Sequence, residues 1–331
     1  MHQIRILAFV TSALVAVCVA WALPARAAYP DRPIEIIVPY PPGGSTDQVA
    51  RHVGQSFNKL FGQPVIIRNK PGANGQIGTA EASRAAPDGY SLLLGNTGMV
   101  MNPILYKELP YKPDRDFVPV GMVTEWPLVM VATPSLNVKT VKEFVNYIRS
   151  RQDESSFASA GLGNSTHLAG EIFKQEAGLD KIVHAPFQGD TPALTAVVGG
   201  HVQVFFDPAI SVLQLVRAGK LTALGVTSRE RISVLPNVPT MTEAGYPEFG
   251  KLAPWSWMGI FAPAKTPPAV LEKLRAALAT TLANPEFRKT FADFGAIVFP
   301  ATTTATGVEA FLNSEREKWR KIIEQAHVES K

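Results

Sequence analysis

Short apolar runs alternate with amphipathic stretches along this chain, and that alternation restricts it to strands separated by helices. The run "IEIIVPY" (Ile34 to Tyr40) ends in prolines and glycines. The stretch after it carries Val49, Val53, Phe57 and Leu60 at near-helical spacing. "PVIIRN" supplies a second strand, "KPGANGQIG" a turn-rich link, "TAEASRAA" a short helix and "SLLLGN" a third strand. Strand, helix, strand, helix, strand with short links predicts an α/β unit with a parallel, doubly wound sheet.

A second unit follows the same rule. "PLVMVAT", "KIVHAPF", "HVQVFFD" and "LTALGVTS" read as strands, with helices between them. Thr140 stands where a helix cap belongs, and Gly178 where a helix ends. The C-terminal part is mainly helical. One helix lines up Leu271, Leu274, Leu278 and Leu282, and the last gathers Val308, Phe311, Leu312, Trp319, Ile322 and Ile323. The units join through connections near Val118 to Trp126 and Val226 to Arg231. Residues 28–121 with 229–331 then form one lobe and residues 122–228 the other. A chain that crosses twice encloses a cleft.

Three loops share one design: "PPGGSTD", "GLGNSTH" and "QGDTPA" each follow a strand and open a helix. Free N–H groups and the positive end of the helix dipole make such a loop a place for an anion. Glycines let a ligand approach the backbone, while Ser45, Thr46, Asn164, Ser165, Thr166 and Thr191 offer further contacts. Ser45 and Thr46 also read as caps of the first helix. Asp47 complements the helix end, braces the loop or holds a ligand amine.

The loops do not read as phosphate sites. None has the Walker lysine, and "GLGNST" puts Thr166 where a dinucleotide fingerprint needs its third glycine. No GxSxG elbow is present. His167 and Glu171 lie one helical turn apart without a third ligand motif, so neither a metal nor a cofactor is expected. His167 instead hydrogen-bonds near the helix start or contacts ligand. Lysines and arginines are scattered rather than striped, which argues against nucleic acid as a partner.

The first residues read as a leader. Arg5 precedes an apolar run from Ile6 to Leu23, and "ARA" is a small-residue cleavage pattern, so residues 1–27 are expected to be removed. Cys18 lies inside that segment and is the single cysteine, which leaves no thiol afterwards. The chain has a formal charge of +4, of which Arg5 and Arg26 contribute two.

The stretches "YPDRPIEIIVPYPPGGSTDQVAR", "NKPGANGQIGTAEASRAAPDGYSLLLGNTG", "LGNSTHLAGEIFKQEAG", "LPNVPTMTEAGYPEF" and "WMGIFAPAKTPP", in that order, resemble the Bug family. These are the periplasmic solute receptors of tripartite tricarboxylate transporters. The resemblance implies a two-lobed periplasmic-binding-protein fold, with each lobe a sheet flanked by helices and the ligand in the interlobe cleft. It implies a receptor and not an enzyme, monomeric, that hands a small carboxylate to membrane subunits. A sensor on the same fold, signalling to a membrane kinase, is the alternative, and a small-molecule hydrolase a third. Carried over by residue, the ligand site comprises Tyr40, Pro42, Gly43, Gly44, Ser45, Thr46 and Asp47 of the first loop. The second lobe gives Gly161, Gly163, Asn164, Ser165, Thr166 and His167. Asn96 and Thr97 follow from "GNTG", and Gln188, Gly189 and Asp207 from "FQGD" and "FFD". The family takes aliphatic dicarboxylates, amino acids and aromatic carboxylates, so the ligand stays open. Trp126, near a crossing, departs from the pattern and is placed to narrow the cleft or stack on a ring.

Overall fold

Apolar β1 (Ile34–Val38) is buried along nearly its whole length and seeds the first sheet. It pairs in parallel with β2 (Val65–Asn69) and β3 (Ser91–Asn96). The computed structural model describes residues 29–325, so the expected leader and Cys18 lie outside the described residues. Helix α1 (Ser45–Phe61) links β1 to β2 and buries Val49, Val53 and Phe57. Leu60, expected on the same face, is 44% exposed in the last turn. Helices α2 (Gln76–Ser83) and α3 (Gly98–Leu105) flank β3.

The sheet is mixed rather than parallel. Its order is β11-β4-β10-β3-β1-β2, where β4 is Phe117–Trp126, β10 is Ser256–Pro263 and β11 is Ile297–Val298. Strand β10 runs antiparallel to both β3 and β4, because the chain returns through it from the other lobe. The short helix α4 (Pro113–Asp116) leads into β4.

The second sheet has the order β7-β6-β8-β5-β9. Its strands are β5 (Leu128–Ala132), β6 (Ser156–Ser159), β7 (Val183–Pro186), β8 (Val204–Pro208) and β9 (Thr222–Val226). Helices α5 (Val141–Arg149), α6 (Ser165–Ala177), α7 (Asp190–Val198) and α8 (Ala209–Arg217) connect them. Val129, Val131, Phe205, Val212 and Leu213 form its core on one face. Phe206 faces the other way, towards Phe173 and Phe249. The remaining helices are α9 (Glu248–Lys251), α10 (Pro268–Ala283), α11 (Pro285–Asp293) and α12 (Ala305–Gln325).

From Arg32 onward the described residues form one unit that holds both sheets. Only Pro127 separates β4 from β5, so the chain passes from one sheet to the other almost without turning. Just past this crossing β5 is tied to the end of β9: the Leu128 N–H donates to Thr227 Oγ1 at 2.8 Å, and the Thr227 N–H to the Leu128 carbonyl at 2.9 Å. Residues 122–126, which the sequence division gives to the second lobe, are strand residues of the first sheet. Past β9 the chain stays with the second lobe: Leu235 joins its core, Thr240 bridges to Val226 and Phe249 stacks on Phe206, and the return to the first sheet comes only at β10. That segment extends the second lobe because β9 needs a neighbour and its apolar side chains need cover.

Trp126 is a packing residue that lines a cavity with Pro127, Thr227 and Trp255. It is fully buried, donates to Thr124 Oγ1 at 2.8 Å and forms a T-shaped pair with Phe291. Among the described residues no helix is long and apolar enough to cross a membrane.

Candidate functional site

Carboxyl ends of parallel strands, where open α/β sheets take their ligands, carry the three glycine loops. The first runs from β1 into α1. Gly43 has φ +84°, a conformation that L side chains rarely adopt, and Pro42 and Gly43 are exposed. Gly44 is the helix cap and makes no side-chain cap bond; Ser45 and Thr46 already lie in the helix. The expected cap comes instead from across the cleft. The Asp190 carboxylate, at the start of α7, accepts the Ser45 N–H at 2.9 Å and the Ser45 hydroxyl at 2.6 Å through Oδ2. A Cβ on Gly44 would stand 3.2 Å from that oxygen.

Asp47 braces this loop. Its carboxylate accepts the Gly43 N–H at 2.9 Å, Arg51 Nε at 2.8 Å and Asn69 Nδ2 at 3.0 Å. Burial alone would raise its pKa, but the Arg51, Gly43 and Asn69 donors outweigh it and hold the carboxyl below its ordinary value. With these donors the Asp47 carboxylate ties the loop to α1 and to the end of β2.

In the second lobe Asn164 is a true cap: its Oδ1 accepts the His167 N–H at 3.0 Å and the Thr166 hydroxyl at 2.7 Å. Thr166 Oγ1 in turn accepts the Ala160 N–H at 2.9 Å. His167 is buried, and its Nδ1 accepts the Gly163 N–H at 3.0 Å. The ring stacks on His184 with centroids 3.9 Å apart, and Nε2 lies 3.5 Å from Glu171. His167 therefore shapes the glycine loop from behind. Gly161 has φ +149° and Gly163 φ +78°, and a Cβ on either would strike Asn74 or Leu105 of the first lobe. Ser165 opens α6 in a buried position.

The lobes meet through these loops. The Leu162 carbonyl accepts Asn74 Nδ2 at 3.0 Å and the Tyr106 hydroxyl at 3.1 Å, while Thr191 Oγ1 reaches the Pro42 carbonyl at 3.4 Å. Gly189 backs onto Pro41, where a Cβ would come within 2.7 Å of the ring; Gln188 beside it is exposed. Within the first lobe, beside the first loop, lies a small cavity of ≈ 10 Å³, lined by Tyr40, Asn74, Thr79, Asn96 and Asn102 among others. That is about the volume that one water needs. Asn96 orients itself by accepting the Gly98 N–H at 2.9 Å. Thr97 is buried at the start of α3, its carbonyl taken by Val100 and Met101. Burial holds the Tyr40 phenol well above its ordinary pKa, with Asn96 opposing and Asp190 adding to the rise.

Asp207 closes the set. It is wholly buried at the end of β8, and neither of its oxygens has a hydrogen-bond partner among the described residues. Burial, reinforced by the Asp190 charge, pushes its pKa well up. Sequence reasoning missed Asp190, Asn74 and Tyr106. An acid in the first position of a helix reads as a dipole partner, and an Asn in "PGANG" as a turn residue. The αL conformation of Asn74 fits that reading, yet its side chain bridges the lobes.

A family model described as a tripartite tricarboxylate transporter family receptor matches residues 49–328. The chain is similar to the periplasmic binding protein BugD, with 35% identity and a TM-score of 0.86 over 92% of this chain and 100% of that one. MatC (Rpa3494) from Rhodopseudomonas palustris, solved with bound malate, shares 33% identity at a TM-score of 0.82, covering 89% of this chain and 100% of that one. Rpa4515 of R. palustris, solved with adipate, shares 28% identity at a TM-score of 0.85, covering 90% and 98%. The chain belongs to the Bug family of tripartite tricarboxylate transporter receptors, and it is a two-lobed solute-binding protein rather than an enzyme.

Proposed function

We propose that this protein captures a small carboxylate between its lobes, in the periplasm, and presents the closed form to the membrane subunits of a tripartite transporter. One observation carries the reading: the N-terminus of α1 already holds a carboxylate, that of Asp190, through a backbone N–H and a hydroxyl. The same loop chemistry, mirrored at the start of α6, suits a ligand carboxylate. Malate and adipate in two similar structures are of the right class.

The test is a thermal-shift and calorimetric titration of the mature chain with small mono- and dicarboxylates and their neutral amides. Carboxylates that bind only the folded state raise its melting temperature, and the matched amides do not. A panel in which no carboxylate stabilises the protein, or in which the amides do so equally, overturns the reading.

A further inference from the structure

We propose that His167 is a positioning residue, stacked with His184 behind the Gly161–Gly163 loop, and that the loop keeps its carboxylate-binding shape only while His167 is neutral. The inference rests on the carboxylate-receptor reading above and adds a proton dependence to it.

Each glycine of the loop is tied to one of two imidazoles. The Gly163 N–H donates to His167 Nδ1 at 3.0 Å. The Gly161 N–H donates to Ser159 Oγ at 3.3 Å, and that oxygen lies 2.7 Å from His184 Nε2. The two rings stack with centroids 3.9 Å apart, and Phe157 stacks on His184 at 4.9 Å. A glycine backbone has little conformational preference of its own, so such ties set the shape of the loop. The tie through Ser159 survives a proton on either partner, because a hydroxyl both donates and accepts. The tie to Gly163 does not.

A ring nitrogen that accepts an N–H carries no proton, so the proton of neutral His167 is on Nε2, which faces Glu171 at 3.5 Å. Burial alone would raise the Glu171 carboxyl, but the His167 bond and the Lys174 charge hold it below its ordinary value. Glu171 therefore faces an Nε2 proton in either state of the ring, and a second proton arrives on Nδ1. There it meets the Gly163 N–H, and two donors cannot share a bond. Gly163 must turn away. The titratable groups around the ring are Glu171 and Lys174 of its own helix and His184 of β7, while Tyr106 of the first lobe reaches the loop at Leu162.

Movement of the loop reaches the other lobe directly. The Leu162 carbonyl, between the two glycines, accepts Asn74 Nδ2 at 3.0 Å and the Tyr106 hydroxyl at 3.1 Å. Acid thus loosens the loop and the contact between the lobes together. A cationic histidine touching the ligand would do the reverse and strengthen carboxylate binding.

The experiment is calorimetry with malate and adipate on the mature chain and on His167→Asn, whose Oδ1 stands in for Nδ1 and takes no proton. It runs from about pH 8 to about pH 5.5, across the range in which imidazoles titrate. Protonation of the probe acts on both proteins alike and cancels in the ratio of their affinities. Over that range wild type should lose about fivefold or more relative to the variant. A constant ratio, or a wild type that gains in acid, overturns the proposal. Nitrogen-15 NMR of the ligand-free chain, labelled at histidine and glycine, gives a second readout that needs no ligand. His167 Nδ1 should be bare at about pH 8, and the Gly163 amide should shift as that nitrogen gains its proton. A proton already on Nδ1, or a Gly163 amide unmoved down to about pH 5, overturns the proposal and leaves the receptor reading standing. Binding of neither probe, with the NMR as expected, overturns the carboxylate reading and leaves the proton-sensitive loop.

Discussion

At the scale of single residues, the site holds its acids in opposite states. Asp47 is held ionised by its donors, whereas Asp207 is pushed towards the neutral form by burial. The sign for Asp207 follows from proton counting. Its folded pKa lies above the ordinary unfolded value, so between the two the native state binds the extra proton. Its contribution is fully favourable below the unfolded value, about 4, and is lost as pH rises through the raised folded value. Denaturant melts of Asp207→Asn should therefore equal or exceed wild type near pH 8, and the gap should shrink as pH falls towards 4. A gap that does not change with pH would show that the Asp207 carboxyl is solvated or paired. His167 and Gly43 carry a related lesson. Sequence left His167 between a bond near the helix start and a ligand contact and gave Gly43 to the ligand; the structure shows His167 Nδ1 accepting the Gly163 N–H and Gly43 exposed at a turn with φ +84°.

At the scale of elements, helix starts decide the site, and two of them are capped differently. Asn164 caps α6 from within, so Asn164→Ala should cost about 1 kcal/mol of stability. It should also loosen Thr166, whose hydroxyl bonds the same oxygen. Urea melts check the first effect. A variant as stable as wild type would mean that water replaces the cap. Helix α1 has no such cap and borrows Asp190. That difference explains what was legible in the sequence. Strands such as β1 and β5, and the faces of α10 and α12, follow from period and apolar runs, because local pattern fixes them. So did the Thr140 and Gly178 ends. Strands β4 and β10 did not. Pro119 and Gly121 interrupt the first, and the second is buried at every position and so lacks alternation. The site was half legible for the same reason. Loop type is local, whereas a cap lent by Asp190, 145 residues away, leaves no local trace.

At the scale of the molecule, closure is where residue and element meet. The two bonds from Ser45 to Asp190 exist only when the lobes touch, and hydrogen bonds to a charged group contribute roughly 1.5–3 kcal/mol each, net of the bonds to water that they replace. Asp190→Ala should thus shift the ligand-free population towards the open form by about tenfold or more. Small-angle scattering should give a larger radius for the variant than for wild type, both without ligand. Equal radii would mean that contacts such as Asn74 to Leu162 hold the lobes by themselves. How the lobes travel between these states is set where the outgoing β4 and the returning β10 lie side by side, Trp126 paired with Ser256, next to the Leu128–Thr227 bonds that fasten β5 to the end of β9. Two strands fastened side by side make a swivel rather than a tether. The lobes can turn about it, yet they cannot slide past one another or wander. Each time they come together, Asp190 arrives at Ser45 in the same register, and selection falls to the chemistry at the rim because the path leading there is already decided.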